Sequence, residues 1–152
     1  MKFPNVSGKN LEKKKYNIPY DLEGELNVLI VPFQRWHQSL ADEWSVFLNK
    51  IEKSTQDFRY YEVPTLNSGY KVMRFMIDGG MRAGIPNRSV RERTITLYTN
   101  KPLFEKLLNI KSEDTIYLFL IRKNGEILWR DEGEYDTQKG EELLKTIENL
   151  NA

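Results

Sequence analysis

The chain has 152 residues, of which 39% are hydrophobic and 30% charged, and its formal net charge is +1. This length and composition predict a single globular domain over residues 1–152, with enough apolar side chains to form a core. The near-neutral charge argues against nucleic acid as a partner. Cysteine is absent, which excludes disulfide exchange, zinc–thiolate sites, iron–sulfur clusters and cysteine nucleophiles.

Neither the opening residues nor the longest apolar run indicates an export signal or a membrane span. The opening residues are polar, lead to three consecutive lysines and contain no apolar segment of the kind found in secretory signals. The longest apolar run, Val28–Phe33, is far too short to cross a bilayer. We therefore expect a cytoplasmic protein.

The first half of the chain predicts a strand, a helix and a second strand after an irregular arm formed by residues 1–24. Leu26–Phe33 is almost continuously apolar, which is typical of a strand buried on both faces. The apolar residues that follow are spaced for one face of a helix over residues 36–53, and they are Trp36, Leu40, Trp44, Phe47, Leu48 and Ile51. Phe58–Val63 is rich in aromatic and β-branched residues, so it predicts the second strand.

The second half alternates helices and strands and ends in a hairpin and a helix. Helices are predicted over residues 69–78, 102–109 and 138–149. Strands are predicted over Arg93–Thr99, Thr115–Ile121 and Glu126–Arg130. Gly79 and Gly80 are expected to interrupt the first of these helices. Asn124 and Gly125 form the dipeptide that most strongly indicates a tight hairpin turn.

The order of these elements determines the predicted fold class. The opening strand–helix–strand units imply parallel strands with right-handed crossovers, whereas the Asn-Gly turn makes the last pair antiparallel. The prediction is an α/β sandwich of three layers, in which a mixed sheet of four or five strands has helices on both faces. Leu26–Phe33 and Thr115–Ile121 are predicted to be its central strands.

Two stretches resemble the thioredoxin-like superfamily, in the branch that contains the peroxiredoxins. Phe33–Leu40 is similar to the junction where thioredoxins place Trp-Cys-x-x-Cys, and His37 and Leu40 stand at the positions of the two cysteines. Leu118–Trp129 is similar to the superfamily's hydrophobic strand, turn and returning strand. The proline that usually precedes this strand would fall at residues 114–115 and is absent. The resemblance implies a thioredoxin-like fold without redox activity, inactive in insulin-reduction and peroxide-consumption assays.

Three further stretches, spread from end to end, resemble the mitochondrial ATP synthase assembly chaperone family. Phe3–Leu11 is similar to its Phe-Pro-Asn-x-x-Gly-x-x-Leu opening, Met81–Pro86 to its Arg-x-x-Leu-Pro stretch, and Ile127–Gly133 to its Ile-Arg-Trp-x-x-x-Gly ending. Arg122 stands where the family usually has Asp, and the opening carries no mitochondrial presequence. The resemblance implies a chaperone-like or assembly role with a protein partner. No cofactor is predicted.

The first candidate site is His37 with its neighbours Arg35, Trp36 and Gln38, at the predicted start of a helix. A helix N-terminus favours both an anion and a neutral imidazole, so this set predicts a site for a small anionic ligand. His37 is the only histidine and has no ligand set around it, so no metal site is predicted. Ser39 lies about 200° around the helix from His37, which argues against a nucleophile–base pair. The alternative, which we favour, is that His37 is a surface or half-buried residue without chemistry and that Trp36 packs in the core or at its rim.

The second candidate site is the methionine-rich segment between residues 70 and 88. Methionine adapts to varied apolar partners, and residues 68–93 hold six basic side chains against two acidic ones. This combination suits a protein partner, a membrane-protein client or a membrane surface. The predicted partner-binding residues are Met73, Phe75, Met76, Met81, Arg82 and Arg88. The alternative is a crossover helix that covers the sheet. We favour burial of most of the segment, with the turn at residues 79–86 exposed as the docking edge.

Two functions from different classes are compatible with these features. The first is a non-enzymatic binding or assembly module on a thioredoxin scaffold. The second is an enzyme or binder that uses a peroxiredoxin-like pocket around His37 for a small anion. Polar groups converging on a pocket at His37 would favour the second function, whereas a filled or flat surface there would favour the first.

Overall fold

A four-stranded mixed sheet forms the centre of the protein, seen in a computed structural model that describes residues 1–151. Its strands are β3 (Leu26–Val31), β4 (Phe58–Glu62), β7 (Tyr117–Arg122) and β8 (Ile127–Glu132), in the order β4-β3-β7-β8. β3 and β4 are parallel, and the other two pairs are antiparallel. Every residue of β3 is buried, as its continuous apolar sequence predicts. The predicted mixed sheet and its two central strands are confirmed.

One face of this sheet is covered by two helices, α1 (Gln38–Ser54) and α5 (Thr137–Asn151). α1 buries four side chains spaced at three or four residues, Ala41, Trp44, Leu48 and Ile51. They pack against Val28 and Leu118 of the sheet and against Leu143 of α5 in one apolar cluster. The Trp44 indole N–H also donates a 2.9 Å hydrogen bond to the carbonyl of Gly133, which fixes α1 to the turn after β8.

The other face is covered mainly by a second sheet. Its strands are β1 (Val6–Asn10), β2 (Lys15–Ile18), β5 (Thr65–Asn67) and β6 (Ile95–Thr99), in the order β2-β1-β6-β5. Together with the short helix α4 (Lys101–Leu107), it encloses a second apolar cluster that includes Phe3, Leu97, Phe104 and Phe119. The residues predicted as an irregular arm therefore form a regular hairpin and complete this sheet.

The segment between β5 and β6 lies outside both apolar clusters. It consists of a 3-10 helix (Ser68–Met73), α2 (Arg74–Gly84) and α3 (Arg88–Arg93). None of these three helices contains a buried residue. The sequence predicts an interruption at Gly79 and Gly80, but α2 continues through both residues to Gly84. No helix in residues 1–151 is long and apolar enough to span a bilayer.

Candidate functional site

His37 is completely buried at the junction between β3 and α1, so the expectation of a surface or half-buried residue is wrong. A 3-10 helix, Arg35–His37, leads into α1 and turns the imidazole back towards the end of the strand. Nδ1 accepts hydrogen bonds from the backbone N–H groups of Phe33 and Gln34, at 3.0 and 3.2 Å. The imidazole therefore holds the backbone of the turn, at the position where thioredoxins carry their first cysteine.

The protonation of His37 follows from this geometry. An Nδ1 that accepts two N–H groups carries no proton, so the proton of the neutral ring is on Nε2. Nε2 is buried and has no hydrogen-bond partner among residues 1–151. Burial lowers the pKa of His37 below 6.5, although the nearby Asp114 carbonyl and the charges of Asp114 and Glu113 oppose the shift. His37 is therefore a neutral structural group.

The neighbours of His37 do not converge on a ligand pocket. Trp36 is 55% exposed and its indole N–H donates to the Gln34 side-chain oxygen at 3.1 Å, so the expectation that it packs in the core or its rim is wrong. Gln38 donates to Asp42 at 2.8 Å, and Arg35 is exposed. Three of the four predicted residues thus lie on the surface, and the fourth, His37, is sealed beneath them.

A cleft of about 420 Å³ lies elsewhere, beside the free edge of β4. Its walls include Tyr16, Arg59, Tyr60 and Tyr61, together with residues of α3. Four ion pairs cross or flank it, and they are Lys14–Glu23, Arg91–Glu12, Arg88–Glu92 and Arg93–Glu52. Because its charged groups neutralise one another, the cleft shows no preference for an anion or a cation. No cluster of metal-ligating side chains occurs in the described part of the chain.

The outer segment, residues 68–84, presents its large apolar side chains to solvent. Val72 is 92% exposed, Phe75 is 86% exposed and Met76 is 71% exposed, while Tyr70 and Met73 are exposed to a lesser degree. Only Met81 and Ile77 are half-buried. The expectation that most of this segment is buried is wrong, and the outcome matches the alternative of a partner surface.

The outer segment is amphipathic, but its apolar side faces away from the protein. Its exposed stripe repeats at three and four residues and consists of Val72, Phe75, Met76, Gly79, Gly80 and Ala83. The opposite side carries Arg74, Asp78 and Arg82, each four residues from the next. These three polar side chains make hydrogen bonds, an ion pair and a cation–π contact with the rest of the molecule, and the half-buried Ile77 and Met81 lie between them. A helix normally does the reverse.

The surface under α2 explains this orientation. Alternate residues of β6 point to opposite sides, so Ile95 and Leu97 enter the apolar cluster while Thr96 and Tyr98 face α2. Tyr98 donates its hydroxyl to one carboxylate oxygen of Asp78 at 2.7 Å, and Thr96 donates to the other at 3.1 Å. A sheet face with hydroxyl groups pairs with the polar side of a helix and leaves the apolar side unpaired.

The arginines near the outer segment are mostly neutralised. Arg82 pairs with Glu12 at 3.2 Å, and Arg91 pairs with the same carboxylate at 3.0 Å. Arg88 pairs with Glu92 and Arg93 with Glu52, each at 3.0 Å. Arg82 and Arg88 are exposed as expected. The basic rim inferred from the sequence is weaker in the structure because two of its acidic partners, Glu12 and Glu52, come from distant parts of the chain.

Comparisons with known proteins agree with this architecture. The sequence matches the model of the ATP10 protein family over residues 1–150. The chain belongs to the ATP10 family. This is a family of ATP synthase assembly factors, so the resemblance found in the sequence is confirmed. None of the curated protein sequences compared with the chain matches it.

Solved structures similar to this member of the ATP10 family have the thioredoxin-like fold. The exposed lipoprotein thioredoxin Etrx1 of Streptococcus pneumoniae has a TM-score of 0.63 and 14% identity, over 96% of this chain and 99% of that one. BsSco, of the Sco family of cytochrome c oxidase assembly proteins, has a TM-score of 0.60 and 11% identity, over 97% and 92%. The N-terminal domain of PilB from Neisseria gonorrhoeae has a TM-score of 0.60 and 15% identity, over 95% and 89%. The predicted fold class is confirmed.

The stretches that resemble the ATP10 family serve the fold in this structure. Phe3 packs edge-on against Phe104 and Phe119. A side chain at Gly8 would collide with the Thr96 carbonyl of the neighbouring strand. Gly133 adopts a φ of +82° and accepts the Trp44 hydrogen bond. Sequence reasoning did not identify Asp78, Tyr98 or Val72, because the signal of an outward-facing helix lies in what is beneath it.

Proposed function

We propose that this protein is a non-redox assembly factor that binds a component of ATP synthase through the exposed stripe of the outer segment. One observation carries the proposal. A helix whose polar side is already paired with the protein leaves Val72, Phe75 and Met76 almost fully exposed. Contiguous exposed apolar patches on soluble domains tend to mark interaction sites. Membership of the ATP10 family supports the choice of partner.

The stripe is chemically suited to shielding an apolar segment of a client. Met73 and Met76 have flexible, polarisable side chains that adjust to different shapes. A side chain added at Gly79, Gly80 or Gly84 would meet nothing within 4 Å, so their backbone is open to a partner. A client could therefore approach closely beside Phe75 and be released without any covalent step. The expected partner is a protein, and a membrane-protein client suits the apolar stripe best.

The junction between β3 and α1 supports binding over catalysis. The positions of the thioredoxin cysteines hold a sealed, neutral His37 and a half-buried Leu40. The groups around them are dispersed, so no observation favours the alternative of an enzyme acting on a small anion. The cytoplasmic location expected from the sequence stays a prediction, which fractionation of the host cells would test.

The proposal is tested by affinity capture from cells of the natural host, followed by mass spectrometry. The wild-type chain is compared with the double variant Phe75→Ser/Met76→Ser. We expect subunits of ATP synthase among the captured proteins, and a loss of about tenfold or more with the variant, since two central apolar contacts of an interface are removed.

A matched control keeps this test specific to the outer segment. Leu103 and Leu107 of α4 are about half exposed, and Leu103→Ser/Leu107→Ser makes the same kind of double substitution of exposed apolar side chains elsewhere. We expect this variant to capture the same proteins as the wild type. Capture that is unaffected by Phe75→Ser/Met76→Ser, or that contains no ATP synthase subunit, would overturn the proposal.

A further inference from the structure

We infer that the outer segment is releasable, so that residues 68–84 leave the second sheet as one unit while the rest of the protein stays folded. The hydrogen bonds of Asp78 to β6 hold the segment in place, and these bonds are called the catch. The juxtaposition behind this inference is that of the Asp78 carboxylate with the hydroxyls of Tyr98 and Thr96. The inference concerns the same surface as the proposed function, but it does not depend on which protein binds there.

The outer segment is held almost entirely by polar groups. Asp78 accepts hydrogen bonds from Tyr98 at 2.7 Å and from Thr96 at 3.1 Å. The Arg74 guanidinium lies over the Tyr98 ring, 4.6 Å from its centroid. Water can replace hydrogen bonds of this kind, so their net contribution is modest, although bonds to a charged carboxylate contribute more than neutral ones. Detachment therefore costs less free energy than global unfolding.

The fully buried apolar side chains that keep a helix attached are missing here, and only Ile77 and Met81 are half-buried. No residue of the 3-10 helix or of α2 is buried, whereas α1 buries four side chains against the central sheet. Segments with few buried apolar contacts open locally at a free energy well below that of global unfolding. In addition, Arg74 Nε is buried without a hydrogen-bond partner in the described part of the chain, a cost that release removes.

Both ends of the outer segment are anchored, which defines the unit that opens. Before it, β5 pairs in parallel with β6. After it, the Arg91 guanidinium donates to the carbonyls of Ile85 and Pro86, at 2.9 and 2.8 Å. Within it, Gly79 and Gly80 lower the intrinsic stability of the helix, so the released segment loses its helical structure. Release exposes Thr96 and the ring of Tyr98, which are buried in the closed state, while Ile95 and Leu97 stay in the core.

The inference predicts a separate opening that hydrogen exchange can measure. In the full wild-type chain, amides of residues 74–84 should exchange about a hundredfold or more faster than those of β3 and β7. Tyr98→Phe removes one hydroxyl of the catch and keeps the ring beneath Arg74. We expect it to accelerate exchange in residues 74–84 by about tenfold to a hundredfold, as for the loss of a hydrogen bond to a charged group. Exchange in β3 and β7 should not change.

Tyr117→Phe is the matched control, since the Tyr117 hydroxyl donates a 2.8 Å hydrogen bond to the Ser112 carbonyl far from the outer segment. It should leave exchange in residues 74–84 unchanged. Asp78→Ala is the second variant and should reproduce the acceleration, even though alanine favours helices. The inference is overturned if wild-type residues 74–84 exchange as slowly as β3, or if neither Tyr98→Phe nor Asp78→Ala accelerates them. These measurements contain no client, so they are independent of the capture experiment.

Discussion

α1 and α2 are both amphipathic helices, yet the apolar side of α1 faces the protein and the apolar side of α2 faces solvent. α1 buries Trp44 and Leu48 against the central sheet and exposes its polar side. α2 attaches its polar side to the second sheet and exposes Phe75 and Met76. The comparison shows that an amphipathic pattern indicates two different sides of a helix without indicating which side faces the protein.

The sheets beneath the two helices account for the difference. The face of the central sheet under α1 is built from apolar side chains such as Val28, Ile30 and Leu118. The face of the second sheet under α2 presents the hydroxyls of Thr96 and Tyr98, with the exposed Lys9 on the strand beside Thr96. Apolar burial stabilises the first arrangement, whereas burying the apolar side of α2 would leave these hydroxyls and Asp78 without partners.

Replacing the central aromatic residue of α1 gives the largest expected effect. Trp44→Ala should lower the free energy of unfolding by about 3–5 kcal/mol, because it leaves a cavity in the core. It also leaves the Gly133 carbonyl without its indole donor. In α2, Phe75→Ala should stay within about 0.5 kcal/mol of the wild type. Urea denaturation of both variants measures the contrast, and similar losses in the two would contradict it.

Breaking a half-buried polar attachment should have an intermediate effect. Arg93 donates two hydrogen bonds to Glu52 and one to the Tyr60 carbonyl, so this ion pair occupies the free edge of β4. Glu52→Gln should cost about 1.5–3 kcal/mol, the range for hydrogen bonds to charged groups. Glu92→Gln disrupts the exposed pair with Arg88 and should cost less than about 1 kcal/mol. Equal midpoints of urea unfolding for the two variants would count against this ranking.

The junction between β3 and α1 should respond to pH, because His37 is buried there. His37 has a pKa below 6.5 in the folded protein, so the unfolded chain takes up the proton first as the pH falls. The stability that neutral His37 provides is therefore complete above pH 6.5. It is lost as the pH falls from 6.5 towards the lower pKa of the folded protein. We expect the wild type to lose more stability than His37→Asn between about pH 7.5 and 5.5.

Acidic groups that titrate in the same pH range contribute to the stability of both proteins, so their two pH profiles are compared by subtraction. Burial, with Glu113 nearby, raises the pKa of Glu105 to about 7, so Glu105 titrates in the same range in both proteins. Subtracting the pH profile of His37→Asn from that of the wild type isolates the histidine. Parallel profiles would show that His37 does not contribute to the pH dependence of folding.

The smallest effect on stability is expected where the effect on binding is largest. Phe75→Ser/Met76→Ser should change the free energy of unfolding by less than about 0.5 kcal/mol, because both side chains are already in water. Thermal melting checks this expectation. A drop in melting temperature similar to that of Trp44→Ala would mean that the stripe is packed against the protein in solution, contrary to the orientation of α2.

Much of the fold was predictable from local patterns. The continuous apolar run of β3 indicated a strand buried on both faces, and the spacing of Trp44, Leu48 and Ile51 indicated a helix with one buried side. Asn124-Gly125 indicated the hairpin between β7 and β8, and Gly125 adopts the positive φ of +91° that favours glycine. The absence of cysteine excluded thiol chemistry without reference to any structure.

The second sheet was not predictable in the same way. β6 was expected in the central sheet, and residues 1–24 were expected to be irregular. β1 reaches β6 across more than 80 residues of sequence, with Gly8 opposite Leu97. Such a pairing leaves no trace in the spacing of nearby residues, since it depends on which strands meet in space.

The sequence by itself determined most of the helices, the strands of the mixed central sheet and the absence of thiol redox chemistry, because these follow from short-range periodicity and composition. Only the tertiary structure decided that His37 is sealed, that the arginines are paired and that α2 faces outward. The last two depend on the chemistry of residues distant in sequence: Glu12 beside Arg82 and Arg91, and the hydroxyls of Tyr98 and Thr96 under Asp78. A polar surface attracts the polar side of a helix, and that preference left the apolar stripe free for a partner.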